Sequence, residues 1–189
     1  MIFHIPHATR HIPVEERGKF ALDDQALDAE LTRMTDAYTD ELFQAGANRD
    51  DIIVPFPVSR LVVDPERFPE DLDEPMARKG MGAVYTKTSQ GQPLRAELAP
   101  EERSRLMECY YVPHHKRLWE AVTGSLQQTG RALIVDCHSF ASTPLPHEPD
   151  QSTPRPDICL GSDAFHTPPH LIEGLRGFFQ RSKLTVAVD

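Results

Sequence analysis

The sequence predicts an α/β fold with a largely parallel sheet, and three observations carry that reading. Ala132, Leu133, Ile134 and Val135 form a short apolar run, led in by Gly130 and closed by Asp136, Cys137 and His138. This is the pattern of a strand buried on both faces. A second apolar run stands at the start, Met1 to Ile5, and also delivers histidines, His4 and His7. Between and after these runs, short strand-like stretches alternate with amphipathic helical ones, as βαβ units require. In open α/β sheets ligands bind beyond the carboxyl ends of the strands, so two strands that each end in histidine suggest one shared site.

Taken in order, the first run is a strand, and a helix follows from Asp23 or Asp24 as N-cap to about Ala45. Its buried stripe is Leu27, Leu31, Met34, Tyr38, Leu42 and Ala45, with Gly46 ending it. Asp36, Asp40 and Phe43 fall on a different face, where two neighbouring carboxylates are ordinarily just solvated. Asp50 to Phe56 gives a short strand, and Leu61 to Val63 another extended piece closed by Asp64 and Pro65. Residues 66 to 98 read as a long loop rich in Pro, Gly and charge, with GMGAVYT (80 to 86) an ordered strand inside it.

From Pro100 to about Gln128 the pattern is helical, with Glu101 and Glu102 at its positive end and Gly130 as its stop. Pro113 predicts a kink near Tyr111, with His114 at the bend. Ser142 to Pro156 reads as loop, Ile158 to Leu160 as strand, Leu171 to Gln180 as helix and Leu184 to Val188 as a last strand.

The 189 residues fit one domain with a good-sized core. A hydrophobic fraction of 39% and a charged fraction of 26% are those of a soluble globular protein. The formal net charge of −9 argues against a nucleic-acid surface and means that an anionic substrate needs a local basic pocket. No apolar run approaches the ~18 residues of a membrane span, and no signal-peptide pattern precedes the first strand, so the expected compartment is the cytoplasm. Cys109, Cys137 and Cys159 are odd in number and widely spaced, which indicates neither a disulfide framework nor a thiolate zinc site.

Two constellations could carry chemistry. Zinc sites of hydrolases combine neutral imidazoles with a carboxylate and keep one position open for water. His7 and His138, with Asp36 or Asp40 from the intervening helix, would supply such a set, although no HExxH or other compact ligand pair is present. The second constellation is basic. Arg60 and Arg67 flank a strand and a Pro turn and could clamp a substrate carboxylate; the plainer reading pairs Arg67 with Asp64 or Glu66.

Seven collinear segments, HIPHATRHIP, DAYTDELF, SRLVVDPERF, GMGAVYT, YVPHH, DCHSF and RPDICLG, together resemble the successive motifs of the N-formylglutamate amidohydrolase family. The resemblance implies a three-layer α/β sandwich similar to the zinc exopeptidases, of phosphorylase/hydrolase-like type. It also implies metal-assisted hydrolysis of N-formyl-L-glutamate, or of a related small anionic N-acyl amino acid, with one Zn2+ per chain. By position, the family's PH motif falls on His7, its DxxxDxLF helix on Asp36 and Asp40, and its HS motif on His138, which implies the metal set. One of the two aspartates would bind and the other orient a ligand histidine. The family's arginine falls on Arg67, with Arg60 beside it, as the clamp for substrate carboxylates. His114 or His115 would line the pocket or stabilise an oxyanion, a structural pair at the helix kink being the competing reading.

The sequence departs from the family pattern at two places. HATR stands where HAG or HSG is usual, and DPER where DxNR is usual, which leaves the identity of the acyl amino acid open. The family's general-base glutamate is expected in a late ExNR segment beyond the strand matching Leu184 to Val188. These residues are therefore expected to be one amidohydrolase domain lacking its C-terminal segment, weak or inactive unless Glu41 or Glu66 supplies the base. The rival reading is a binding protein that keeps the anion clamp and the metal but performs no chemistry. A metal-free phosphate-ester hydrolase ranks last, for want of a glycine-rich phosphate cradle.

Overall fold

The computed structural model describes residues 1–188, which fall into two compact units. The first comprises Met1–Ala141 with Leu145–Glu148, the second Ser142–Pro144 with the chain from Pro149. The result is a mixed α/β protein whose strand pairs are parallel, as the alternating pattern requires.

In the first unit, β1 (Ile2–Ile5) is the central strand of three. It pairs in parallel with β2 (Ile52–Pro55) on one side and β3 (Ile134–Asp136) on the other. The register sets His4 beside Asp136 on β3 and Val54 on β2. The strand buried on every residue is thus β1. β3 was expected to be buried on both faces, but it is an edge strand among the described residues, with Leu133 and Ile134 exposed. A pure apolar run reports only that a segment is hydrophobic, and its place in the sheet is decided by strand order.

The helix expected over Asp23 to Ala45 is two helices. α1 (Val14–Arg17) precedes them as a single turn. α2 (Asp24–Met34) is capped by Asp23, whose Oδ1 accepts the Ala26 N–H at 2.8 Å. Its inner stripe, Leu27, Leu31 and Met34, is buried as predicted. The helix stops at Thr35 because the Asp36 N–H donates to the His7 carbonyl at 3.0 Å instead of to the preceding helical turn. Tyr38 then takes a left-handed conformation, φ 62°, and α3 (Thr39–Gly46) starts with its phase reset. Phe43 now packs towards Phe3, with ring centroids 6.1 Å apart, while Tyr38 and Leu42 of the expected stripe are exposed. The same break separates Asp36 from Asp40, which do not share one helical face.

Leu61, Val62 and Val63 are fully buried but form a turn, not a strand. The 80–86 segment likewise contributes Met81, Ala83 and Tyr85 to the core without forming a strand. Pro75–Lys79 is a short 3-10 helix closed by Gly80, whose φ of 76° only glycine adopts freely. These pieces pack with Leu27, Leu31, Met34, Leu94, Leu106 and Met107 into the main hydrophobic core.

α4 (Pro100–Leu106) and α5 (Val112–Thr129) are joined by one π-helical turn, Met107–Tyr111. Pro113 has no N–H to return to the preceding turn, and the wider turn absorbs that loss without ending the helix. The expected interruption therefore falls where Pro113 puts it. In the second unit, β4 (Ile158–Leu160), α6 (Pro169–Arg181) and β5 (Val186–Val188) make one βαβ unit with parallel strands. No helix among the described residues is long and apolar enough to cross a membrane.

Candidate active site

The loops after β1 and β3 bring His7 and His138 together, with ring centroids 5.4 Å apart. Parallel strands carry their C-terminal loops to the same sheet edge, so residues 131 positions apart in sequence meet there. Each histidine has one ring nitrogen fixed by a carboxylate. His7 Nε2 donates to Asp64 Oδ1 at 2.9 Å, and His138 Nδ1 donates to Asp36 Oδ2 at 2.9 Å. The other nitrogens face Glu66: His7 Nδ1 lies 3.3 Å from Oε2 and His138 Nε2 lies 3.1 Å from Oε1. His7 is buried, and its Nδ1 has no hydrogen-bond partner. One atom from each of His7, Glu66 and His138 falls within a 4.8 Å cluster, a donor set suited to a divalent cation.

Asp64 organises this corner. It is fully buried and accepts from His7, from Arg60 Nε and Nη2 at 3.1 and 2.7 Å, and from the Tyr85 hydroxyl at 2.5 Å. It also accepts the Glu66 backbone N–H at 3.0 Å. Burial opposes its charge, but Arg60, His7 and Arg67 outweigh that and hold its carboxyl well below the usual range. Tyr85 is pushed up, by burial and by the Asp64 charge, and stays a neutral donor. Burial also opposes charge on His138, yet hydrogen bonds to Asp136, Asp36 and Glu66 push its pKa up to about 12. That is the behaviour of an imidazole standing where a cation is wanted.

A cavity of about 700 Å³ opens beside the cluster, lined among others by Asp36, Arg60, Arg67, His138 and His147. Arg60 is committed to Asp64 and Tyr85, whereas Arg67 approaches Asp64 only to 3.7 Å and its buried Nε has no hydrogen-bond partner. Of the sequence-derived candidates, His7, Asp36, His138, Arg60 and Arg67 are therefore brought to one place.

Three others are not. Asp40, expected beside Asp36, lies in the first turn of α3 and makes no ion pair with the clustered histidines among the described residues. His114 does not line that cavity: it is buried with Nε2 2.8 Å from His4 Nε2 and its ring against the edge of Phe56. Burial first, then the neighbouring His4, His115 and Arg117, bring its pKa down to about 3. His115 is tied to the Pro65 carbonyl at 2.8 Å and lines a smaller cavity with His4, Glu66 and Asp136. Tyr85 and Asp136 were not anticipated at all, Asp64 only as an ion-pair partner of Arg67, and Glu66 only as such a partner or as an alternative general base. Glu66 was visible as the glutamate that displaces the usual asparagine of DxNR, but only the fold turns it towards His7 and His138.

The sequence matches the family described as N-formylglutamate amidohydrolase over residues 1–189. It is 34% identical over 148 residues to an N-formylglutamate deformylase of Pseudomonas putida, covering 76% of this chain and 54% of that protein. It is 36% identical over 110 residues to an N-formylglutamate deformylase of Pseudomonas aeruginosa, covering 56% of this chain and 40% of that one. The chain thus spans about half the length of the curated relatives it matches. Among solved structures, an N-formylglutamate amidohydrolase from Ralstonia eutropha superposes with a TM-score of 0.81 at 21% identity, over 100% of this chain and 71% of the other. A gene product from Agrobacterium tumefaciens gives 0.71 at 22% identity, over 100% and 67%. Seven motifs in order, the fold and the match over the whole chain lead to one assignment: this chain belongs to the N-formylglutamate amidohydrolase family.

Proposed function

We propose that the chain carries the metal and substrate sites of an amidohydrolase acting on N-formyl-L-glutamate or a related small anionic N-acyl amino acid. We place its fold with the three-layer, zinc-exopeptidase-like sandwiches. The observation that carries the reading is the paired arrangement Asp64–His7 and Asp36–His138, both histidines presenting their second nitrogen to Glu66. Carboxylates behind histidines fix the tautomer and ring orientation of metal ligands. The unpartnered, buried His7 Nδ1 fits a cation, because a polar atom left unpaired in the interior otherwise costs ~1–3 kcal/mol.

In this reading His7, Glu66 and His138 hold one zinc ion, with Asp36 as the orienting aspartate and Asp40 outside the set. When bound, zinc supplies a Lewis acid for the scissile carbonyl and for activation of water. Arg67, whose Nε has no hydrogen-bond partner, takes the substrate carboxylate, and Arg60 is held rigid beside it by Asp64 and Tyr85. Fixing the acidic end of the substrate turns attack on the amide into a positioned, nearly unimolecular step. His114 acts from behind the site as a buried packing and hydrogen-bonding group, and His115, half-buried and tied to the Pro65 carbonyl, lines the smaller cavity beside it.

Zinc content per chain, followed by formate release from N-formylglutamate and from a small panel of N-acyl amino acids, tests the reading. Zinc with turnover supports it. Zinc without turnover on any member of the panel makes the chain a metal- and anion-binding protein instead.

A further inference from the structure

Glu66 faces two groups of ligands, not one. Beside the His7, Glu66 and His138 set, one atom from each of His4, Glu66 and Asp136 also falls within a 4.8 Å cluster. We infer that this second set is a divalent-cation position of its own, so that Glu66 bridges two cations in a two-metal centre. The inference rests on the metal reading of the first set and adds a site to it.

Four features of the chain support a second cation. The β1/β3 register puts His4 and Asp136 opposite each other on adjacent strands, and His4 Nδ1 lies 2.8 Å from Asp136 Oδ1. Behind His4, its Nε2 lies 2.8 Å from Nε2 of the buried His114, an arrangement that fixes the ring as a carboxylate or carbonyl does behind other ligand histidines. Second, a carboxylate oxygen of Glu66 and one of Asp136 lie within 4.8 Å of each other and of a His4 ring nitrogen, a convergence of two negative groups and an imidazole that a divalent cation offsets.

Third, the set is accessible. A cavity of about 360 Å³ is lined by His4, Glu66, Asp136, His115, Arg67 and Tyr111, among others, and Asp136 is half exposed, so ion and water can enter from that side. Fourth, the bridging residue is also faced by the buried, unpartnered Nδ1 of His7, which points to a cation on its other side. Glu66 offers its Oε1 towards His138 and its Oε2 towards His7, and His138 Nε2 lies 3.6 Å from Asp136 Oδ1. The two sets are thus contiguous and share Glu66, as a two-metal centre with a common carboxylate requires. The aspartate that stands beside His4 on β3 and the glutamate of DPER are what make a second position available to this chain.

The test is a titration of the chelator-stripped full chain with Mn2+, read as equivalents bound and by electron paramagnetic resonance. Two equivalents are expected, with a spin-coupled signal at the second because one carboxylate joins the ions. Asp136→Asn, at a half-exposed position, is expected to weaken the second equivalent at least ~10-fold and leave the first in place. His4→Gln is expected to do the same, and His7→Ala to remove the other ion. A plateau at one equivalent that His7→Ala abolishes and Asp136→Asn leaves untouched would overturn the second site while the hydrolase reading stands. Two equivalents with no spin coupling, or two that survive both Asp136→Asn and His4→Gln, would also overturn it. No binding at all would overturn both readings.

Discussion

Replacing Asp64 with Asn removes one charge from a fully buried position and leaves the volume almost unchanged. Its consequence follows from what Asp64 holds. Arg60 is side-on to it through Nε and Nη2, and Arg60 has the Tyr85 hydroxyl as its other neighbour there. Deleting the carboxylate leaves a guanidinium in the interior without its counter-charge, which costs about 3–5 kcal/mol in the first unit. The Tyr85 hydroxyl and His7 Nε2 also lose a charged acceptor. For a unit of this size the loss corresponds to a fall in Tm of roughly 6–20 °C. Because the described residues form two compact units, the measurement should follow unfolding with a probe in the first one. Trp119, the single tryptophan, lies there on α5 and serves.

The pH dependence adds a second readout. Asp64 is held well below the ordinary aspartate value of 3.8, so its contribution is fully present above that value and is lost as pH falls towards the folded pKa. The stability gap between the parent chain and Asp64→Asn should therefore be flat from neutral pH down to about pH 4 and narrow below it. A gap under ~1 kcal/mol at neutral pH would show that Arg60 finds compensation elsewhere, and would refute the view of Asp64 as the hub of the site.

Further expectations follow from the same geometry. His7→Ala and His138→Ala should each abolish binding of the first metal ion in a dialysis and metal-content assay while circular dichroism shows the fold retained; unchanged stoichiometry in either would remove that residue from the ligand set. Arg67→Ala should raise KM for an anionic N-acyl amino acid by an amount equivalent to ~2–5 kcal/mol and leave a neutral analogue nearly indifferent, and equal losses for both would make Arg67 structural. His114, whose pKa is brought from 6.5 to about 3, is buried neutral, so its contribution is present at high pH and is lost as the unfolded state takes up a proton below about pH 6.5. In chelator-treated protein His114→Gln should therefore flatten stability by about 2 kcal/mol between about pH 7.5 and pH 5, and parallel profiles for the two chains would contradict the burial argument. Leu61→Ala, at a fully buried turn, should cost about 2–5 kcal/mol by chemical denaturation; a loss under ~1 would mean that the site collapses around the cavity.

Local chemistry was enough for much of this protein. Apolar runs of three to five residues ending in histidine located β1 and β3, and alternation with helical stretches gave parallel pairing, because both signals are periodicities within one segment. Asp23 as a cap and Leu27, Leu31 and Met34 as a buried stripe were determined in the same way. The histidines His7 and His138 and the arginines Arg60 and Arg67 stood out because they follow such segments, and strand ends at one sheet edge converge wherever the strands are parallel.

Tertiary structure decided the rest. The break at Thr35 depends on a hydrogen bond from Asp36 to the His7 carbonyl, a partner far away in sequence, and no helical periodicity can announce it. That one bond separated Asp36 from Asp40 and swung Asp36 onto His138. Leu61 to Val63 and the 80–86 segment are buried without forming strands, and Asp64 ties the two pieces together: its N–H donates to the Ala83 carbonyl and its carboxylate accepts from the Tyr85 hydroxyl. Strand order made β3 an edge and β1 the centre, against what their hydrophobicity alone suggested. Glu66 is the clearest case. In the sequence it is one acidic residue beside an arginine, and only the buried, fully paired Asp64 two positions earlier aims its carboxylate between two histidines that the sheet has brought together.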